Sequence, residues 1–468
     1  MTKFDDATIE KIFGADDAEN ENTERFKEYF YRNKAYDSLI ADLSARILVG
    51  HKGIGKSALL KRAFIEDQEN RQPTVWLRPN DIVDIRTAAA AQPDFILRIE
   101  EWKKGLLLQI IDLLFSEYYG PSSRAVVEEI SSAKPRDLIT VLHRVLEEKV
   151  EGEPVTIYID DIDRAWTASQ NDIRNISALL NAIRDIGGAS SKIRFRIGLR
   201  SDVYFLVRTS DESTDKIERN VIWLRWTNDE ILRLAAKRIV SYFGMHFSDK
   251  DIERLSQKSI SEQILSRVIT PRYQGRGRWE DKPTYSILMS LTRARPRDLI
   301  KLFHLAARNA YASGNDIIST ANLARSLEPY SQERLQDIIN EFKSELPEIE
   351  KLLLEMRPTK RERTTAESFQ FTTDKLRVKL NNAMRHANLS FTNSRTVTSG
   401  SLIQFLYKID FITARLETPQ GIERRYFNEG RFLAPEFADF GYSWEIHPAY
   451  RWALQPQDIH SILDGIAI

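Results

Sequence analysis

The chain has 468 residues, 42% hydrophobic and 29% charged, which leaves little room for a long disordered tract and is too large for one ordinary core. It has no cysteine, which excludes disulfides, iron–sulfur clusters and thiolate zinc sites and fits a reducing, cytoplasmic setting. Sixty-eight basic residues balance 68 acidic ones, so only local clusters of charge can speak for or against nucleic acid.

In chain order, residues 1–24 read as an acidic extension with no apolar stretch behind a basic start, so no signal peptide is expected. The following "FKEYFYRNKAYDSL" is rich in aromatics, and Tyr31 or Tyr36 packs either on a ligand base or in the core, the latter being the commoner fate. Strand-like runs "RILVG", "TVWLRP", "VTIYID", "IRFRIGLR" and "NVIWLRW" then alternate with longer helical patterns. That alternation predicts an α/β domain over 25–226, its parallel sheet covered on both faces. The densest apolar run, "GLLLQIIDLLF" from Gly105, is too short to cross a membrane and reads as a core helix. After Trp226 helix-period segments follow, opened by an N-cap Thr227, and predict an all-helical unit over 227–330. From 331 a long helix leads into mixed structure, residues 331–468, which contains two β-rich runs around a Pro419-Gln420-Gly421 turn.

"ILVGHKGIGKSALLKRA", from Ile47, satisfies G-x-x-x-x-G-K-[ST] between a strand and a helix start. Without side chains, Gly50, Gly53 and Gly55 let backbone N–H groups curl around a phosphate, while the helix N-terminus adds its positive end. The predicted cradle is Gly50, His51, Lys52, Gly53, Ile54, Gly55, Lys56, Ser57 and Ala58. Lys56 would reach the β- and γ-phosphates of ATP, and the Ser57 hydroxyl would ligate Mg²⁺. The buried strand of "VTIYIDDIDRAW" ends in acids, which places Asp160 on the metal side and Asp161 near an attacking water. Aspartate is shorter than glutamate, so turnover is expected to be slow. Asp163 and Arg164 take no derived role, and Asp163 is as well suited to cap the next helix. Arg200, ending its strand, either faces the ligand crevice or pairs with Asp202 at the surface. In "TRARPRDLIKLF", Arg295 or Arg297 either reaches the nucleotide or forms structural ion pairs.

These segments, with "LRSDVY", "DKIERNVIWLRW" and "RPRDLIKL", resemble bacterial P-loop ATPases of the AAA+/STAND and KAP-like group, several of which serve in anti-phage and mobile-element conflict systems. The resemblance covers about residues 20–310, and its most distinctive element is the Asp-Asp-x-Asp end of the acid strand. It implies a five-stranded core, a helical lid and a C-terminal winged helix similar to origin-recognition ATPases. It also implies metal-binding and catalytic roles for Asp160 and Asp161, a first sensor at Arg200, a lid sensor at Arg297, and self-association into an oligomer. At the first sensor Arg200-Ser201 replaces the family's small polar residue, and Ala294-Arg295 stands where a glycine often precedes the lid proline.

"SGSLIQFLYKIDFITARLETPQGIERRYF" resembles the last helix and wing of a winged helix-turn-helix, with Gln404 and Lys408 on the helix and Arg415, Arg424 and Arg425 on the wing. Between Arg357 and Arg395 nine basic residues face three acidic ones, which favours phosphate contact; across 341–468 the count is 17 each, which favours docking of an effector protein equally. "RYQGRGRWEDK" from Arg272 is a basic loop, functional or simply solvated. The expected function is an ATP-binding, slowly hydrolysing switch; the alternatives are an ATP-dependent DNA-binding protein and a nucleotide-binding adaptor that does not hydrolyse.

Overall fold

The computed structural model describes residues 4–15, 21–119, 134–149, 153–210, 212–275, 279–364, 368–418, 421–427, 429 and 442–455. They form two compact units: one spans Arg32–Arg225, and the other joins the described residues before it to those after it.

The chain opens with helices α1 (Asp6–Phe13) and α2 (Thr23–Tyr29), which belong to the second unit. The unit Arg32–Arg225 runs α3 (Lys34–Ile40), β1 (Ala45–Gly50), α4 (Lys56–Glu69), β2 (Thr74–Leu77), α5 (Val83–Ala91), α6 (Phe95–Tyr119), α7 (Pro135–Lys149), β3 (Val155–Ile159), α8 (Gln170–Ala189), β4 (Ile193–Arg200), α9 (Ser201–Ser210) and β5 (Val221–Trp223). Its sheet is parallel throughout, in the order β2-β3-β4-β1-β5. Because helices cover both faces, β3 is buried along its whole length. One apolar core joins Ile47, Val49, Ile157 and Ile197 of the strands to Leu106, Ile110, Leu179 and Ile183 of the α6 and α8 helices. Gly50 pairs in register with Arg200 and Leu48 with Gly198, so the loops leaving β1 and β4 start side by side. In an open α/β sheet that carboxyl edge is where ligands bind.

The second unit continues with α10 (Asn228–Phe243), α11 (Asp249–Arg254), α12 (Gln257–Gln263), α13 (Thr284–Leu291), α14 (Pro296–Ala312), α15 (Thr320–Phe342), α16 (Ile349–Glu355), β6 (Gln370–Phe371), α17 (Thr373–His386), α18 (Ser399–Lys408), β7 (Ile412–Thr418), β8 (Gly421–Arg425), β9 (Ser443–Ile446) and α19 (Arg451–Leu454). Its strands form an antiparallel sheet in the order β6-β9-β7-β8. A reciprocal Thr227–Glu230 cap starts α10, and Gly244 in the left-handed region (φ 57°) ends it.

Three details differ from the sequence reading. The acidic extension contains a packed helix that was not expected, α1, because Ile9, Ile12 and Phe13 form a buried stripe and Phe13 stacks on Phe303 at 4.7 Å. The boundary expected at 330/331 falls inside α15, which runs unbroken from Thr320 to Phe342. The long helix expected from Ser331 stops at Phe342, before Pro347, and α16 begins only at Ile349. Among the described residues, no helix is long and apolar enough to cross a membrane.

Candidate functional site

The loop from β1 to α4 is built on backbone freedom. Gly53 (φ 77°) and Gly55 (φ 102°) occupy the left-handed region, and Gly55 caps α4 without any side-chain hydrogen bond. The first N–H groups of α4 therefore keep their donors for a ligand rather than a cap. Buried Ile54 anchors the loop, and a side chain on Gly50 would approach Ile54 Cγ2 to 2.8 Å. The Lys56 ammonium folds back over the loop, donating to the carbonyls of Gly50 at 2.9 Å and His51 at 3.2 Å. Lys52 is exposed, whereas His51 is buried with its Nδ1 3.2 Å from the Ser201 hydroxyl.

Asp160 follows β3 and is 6% exposed. Burial raises its carboxyl above the usual range, against a hydrogen bond from Ser57 and the charge of Lys56. Its Oδ2 has no hydrogen-bond partner. A buried carboxylate oxygen left unmatched beside a serine hydroxyl is a donor set suited to a hard, oxygen-seeking cation, so Ser57 and Asp160 fit Mg²⁺. Gly198 on β4 makes the slot: a Cβ there would lie 2.3 Å from Asp160 Oδ1. Sequence reasoning missed this residue, although a glycine inside a strand is a signal of close approach.

The other acids divide. Asp161 is exposed, with φ 56° in the left-handed region. Asp163 is 8% exposed, and burial pushes its carboxyl up to about 6 against the attraction of Arg200. The Arg200 Nε lies 3.3 Å from Asp163, and its Nη2 donates to Asp202 at 2.7 Å. Asp163 therefore does not cap α8, a task that falls to Ser169. The site thus brings together Lys56, Ser57 and Asp160, with Arg200 held between two carboxylates on the adjoining strand end.

Several candidates are engaged elsewhere. Tyr36 is 1% exposed and donates to Glu66 at 2.6 Å, while Tyr31 packs beside Trp226, ring centroids 6.1 Å apart. Arg295 is buried with Asp410 at 2.8 Å rather than directed at solvent, and Arg297 is half-buried at the start of α14. The residues expected to read DNA are largely turned inward. Lys408 pairs with buried Glu345, and Gln404 accepts from Arg395. Arg415 and Arg424 both serve the fully buried Glu445, which also takes Arg451 Nη2 at 2.7 Å. Arg425 alone of the wing arginines is well exposed, paired with Glu423. In the basic loop, Arg272 pairs with Asp281 at 2.8 Å, and residues 276–278 lie outside the described residues.

Residues 20–273, more than half of the 468, match the family described as Novel STAND NTPase 1, and residues 229–339 match the FunZ-associated C-terminal helical domain. Among curated relatives, a putative transposon gamma-delta 80.3 kDa protein of Escherichia coli K12 is 23% identical over 319 residues, covering 66% of this chain and 42% of the relative. The chain thus spans less than half the length of that relative. Allergen Alt a 2 of Alternaria alternata is 26% identical over 145 residues, 31% of this chain and 67% of the relative. Among solved structures, the Aeropyrum pernix ORC2 protein aligns over 95% of this chain and 97% of its own at 14% identity and a TM-score of 0.45. The Thermotoga maritima RuvB Holliday junction branch migration motor aligns over 89% and 96% at 14% identity and a TM-score of 0.33. With its phosphate cradle, acid-ended strand and matched length, the chain belongs to the Novel STAND NTPase 1 family.

Proposed function

We propose that this NTPase-family chain binds ATP with Mg²⁺ and works as a slowly hydrolysing nucleotide switch. The observation that carries the reading is the buried, half-satisfied Asp160 carboxylate beside Ser57 and Lys56 at the glycine loop. Backbone amides of residues 50–57 would cradle the phosphates, and Lys56 would leave the Gly50 and His51 carbonyls for the β- and γ-phosphates. Mg²⁺, held by Ser57 and Asp160, would neutralise phosphate charge. Arg200 would sense the γ-phosphate by exchanging a carboxylate for it, and Arg297, at the start of α14, is the candidate lid sensor. Asp161 is the candidate to orient water; its exposure and short side chain support slow turnover. Self-association, or docking of an effector protein, would read out the nucleotide state. The name of the E. coli relative, a putative transposon protein, supports a mobile-element setting. Isothermal titration calorimetry of the full chain tests the reading: ATP with Mg²⁺ should bind, and Asp160→Ala should remove the dependence on Mg²⁺. An unaltered wild type that ignores ATP would refute it.

A second reading, duplex DNA as a partner, is favoured by one observation: Arg357, Lys360, Arg361, Arg363, Lys375 and Arg385 are all exposed on and before α17. This moves the basic face away from α18 and the wing. Binding that weakens steeply with salt, with a slope reduced by Lys375→Ala and Arg385→Ala together, would support it; binding insensitive to salt would exclude phosphate contact.

A further inference from the structure

At the amino ends of β1 and β5, opposite the edge that carries the glycine loop, lies a cavity of ≈ 500 Å³. Its walls bring three cations from three separate elements: Lys103 of α6, Arg184 of α8, and Arg219 just before β5. The single carboxylate lining it, Asp185, is already shared. It takes Lys103 Nζ at 2.8 Å and Arg184 Nη2 at 2.9 Å, and these two cations hold its carboxyl below the usual range. Lys103 also pairs with Glu100 at 2.8 Å. Arg184 uses Nε and Nη2 on Asp185, which leaves Nη1 unclaimed. Arg219 forms no ion pair among the described residues, and Asn220 and Ser44 add polar groups beside it. Gly188 stands at the rim, where even a Cβ would meet nothing within 4 Å, so the mouth is open.

Three cations against the Asp185 carboxylate that lines the space and the Glu100 carboxylate paired with Lys103 leave an excess of one positive charge there, carried by Arg219. Guanidinium groups match the oxygens of a phosphate dianion in both charge and geometry. A bare phosphate ion is far smaller than the cavity, whose size suits a nucleoside- or sugar-sized molecule. We propose that this cavity is a second anion site, independent of the glycine loop, that takes the phosphate monoester of a small metabolite, with Arg184 and Arg219 gripping the phosphate and Lys103 supplying charge. Because β1 connects this end of the sheet directly to Gly50, a ligand here would brace the strand that carries the cradle.

The test uses the full chain with Lys56→Ala, which removes the ammonium of the glycine loop, titrated in a calorimeter with inorganic phosphate and with AMP at low salt. The proposal expects binding of both, and a loss of roughly tenfold or more in affinity when Arg219→Ala or Arg184→Ala is added, with Arg219→Lys partly restoring it. Tighter binding of AMP would identify a nucleoside ligand; equal binding would identify free phosphate. Since Arg219 is exposed, its alanine variant should fold, as circular dichroism would check. Affinities unchanged by both arginine substitutions would overturn the proposal. So would phosphate binding by the wild type that vanishes with Lys56→Ala, since the ion would then sit in the cradle. An ATP-blind wild type that still bound phosphate through Arg219 would sink the nucleotide reading while leaving this one standing.

Discussion

A missing side chain at Gly198 is what lets Asp160 sit buried next to Ser57, since a methyl group there would come within 2.3 Å of the carboxylate. Gly198→Ala should therefore cost about 1–3 kcal/mol in stability through overpacking, and weaken the Mg²⁺ dependence of ATP binding, both readable by thermal unfolding and calorimetry. Lys56→Ala removes the ammonium that folds over the Gly50 and His51 carbonyls, and ATP affinity should fall about tenfold to hundredfold by calorimetry. Asp163 offers a pH test. The unfolded chain gives up this proton near pH 4, whereas the folded chain keeps it until about pH 6. In that window the folded state binds the extra proton, so stability falls as pH rises, by up to on the order of 3 kcal/mol. Asp163→Asn should flatten that part of the denaturation-versus-pH curve and free Arg200 to lean on Asp202 alone. Only Asp163's neighbours in space explain this behaviour; its place in "DDIDR" shows three acids and no burial.

Between elements, the segment "TRARPRD" ahead of α14 is held by a buried ionic cluster. Arg293 meets Asp298 at 2.7 Å, Arg334 of α15 meets the same carboxylate at 3.1 Å, and Arg293 donates to the Tyr450 hydroxyl at 2.8 Å. Arg295 reaches Asp410, just before β7. The guanidinium groups around Asp298 hold its carboxyl far below the usual range, and the cluster ties the start of α14 to the C-terminal strands. Ala294 sits between the two buried arginines with φ 51°, the conformation a glycine would adopt more readily, and the pairs on either side hold it there. Asp298→Ala should leave buried Arg293 without a carboxylate and Arg334 with only Glu333 and Asp337, and destabilise this unit by about 3–5 kcal/mol in urea unfolding. The conservative Asp410→Asn should cost less, because a carbonyl oxygen still accepts from Arg295. In sequence Arg295 suited either a nucleotide contact or a structural ion pair, since basic residues near a helix start also suit phosphate. What decided between the two was Asp410, which arrives from more than a hundred residues away, while Asp298 and Tyr450 hold Arg293 beside it. Glu445 did the same for Arg415 and Arg424.

At the scale of the whole chain, two compact units should melt as more than one transition in calorimetry. ATP with Mg²⁺ at about a hundredfold its dissociation constant should stabilise the unit Arg32–Arg225 by about 2.7 kcal/mol. If Arg297 reports the nucleotide as proposed, the transition of the second unit should rise with it, and Arg297→Ala should leave that second transition where it lies without ligand. The alternation of strands and helices, the glycine loop and the acid-ended strand were legible from residues alone, because they depend on local periodicity and on residues within one turn of each other. Tertiary structure alone decided which charges remain available to a ligand. Whether an arginine faces a phosphate or a buried carboxylate depends on partners far away in the chain, and neither composition nor spacing records where those partners arrive.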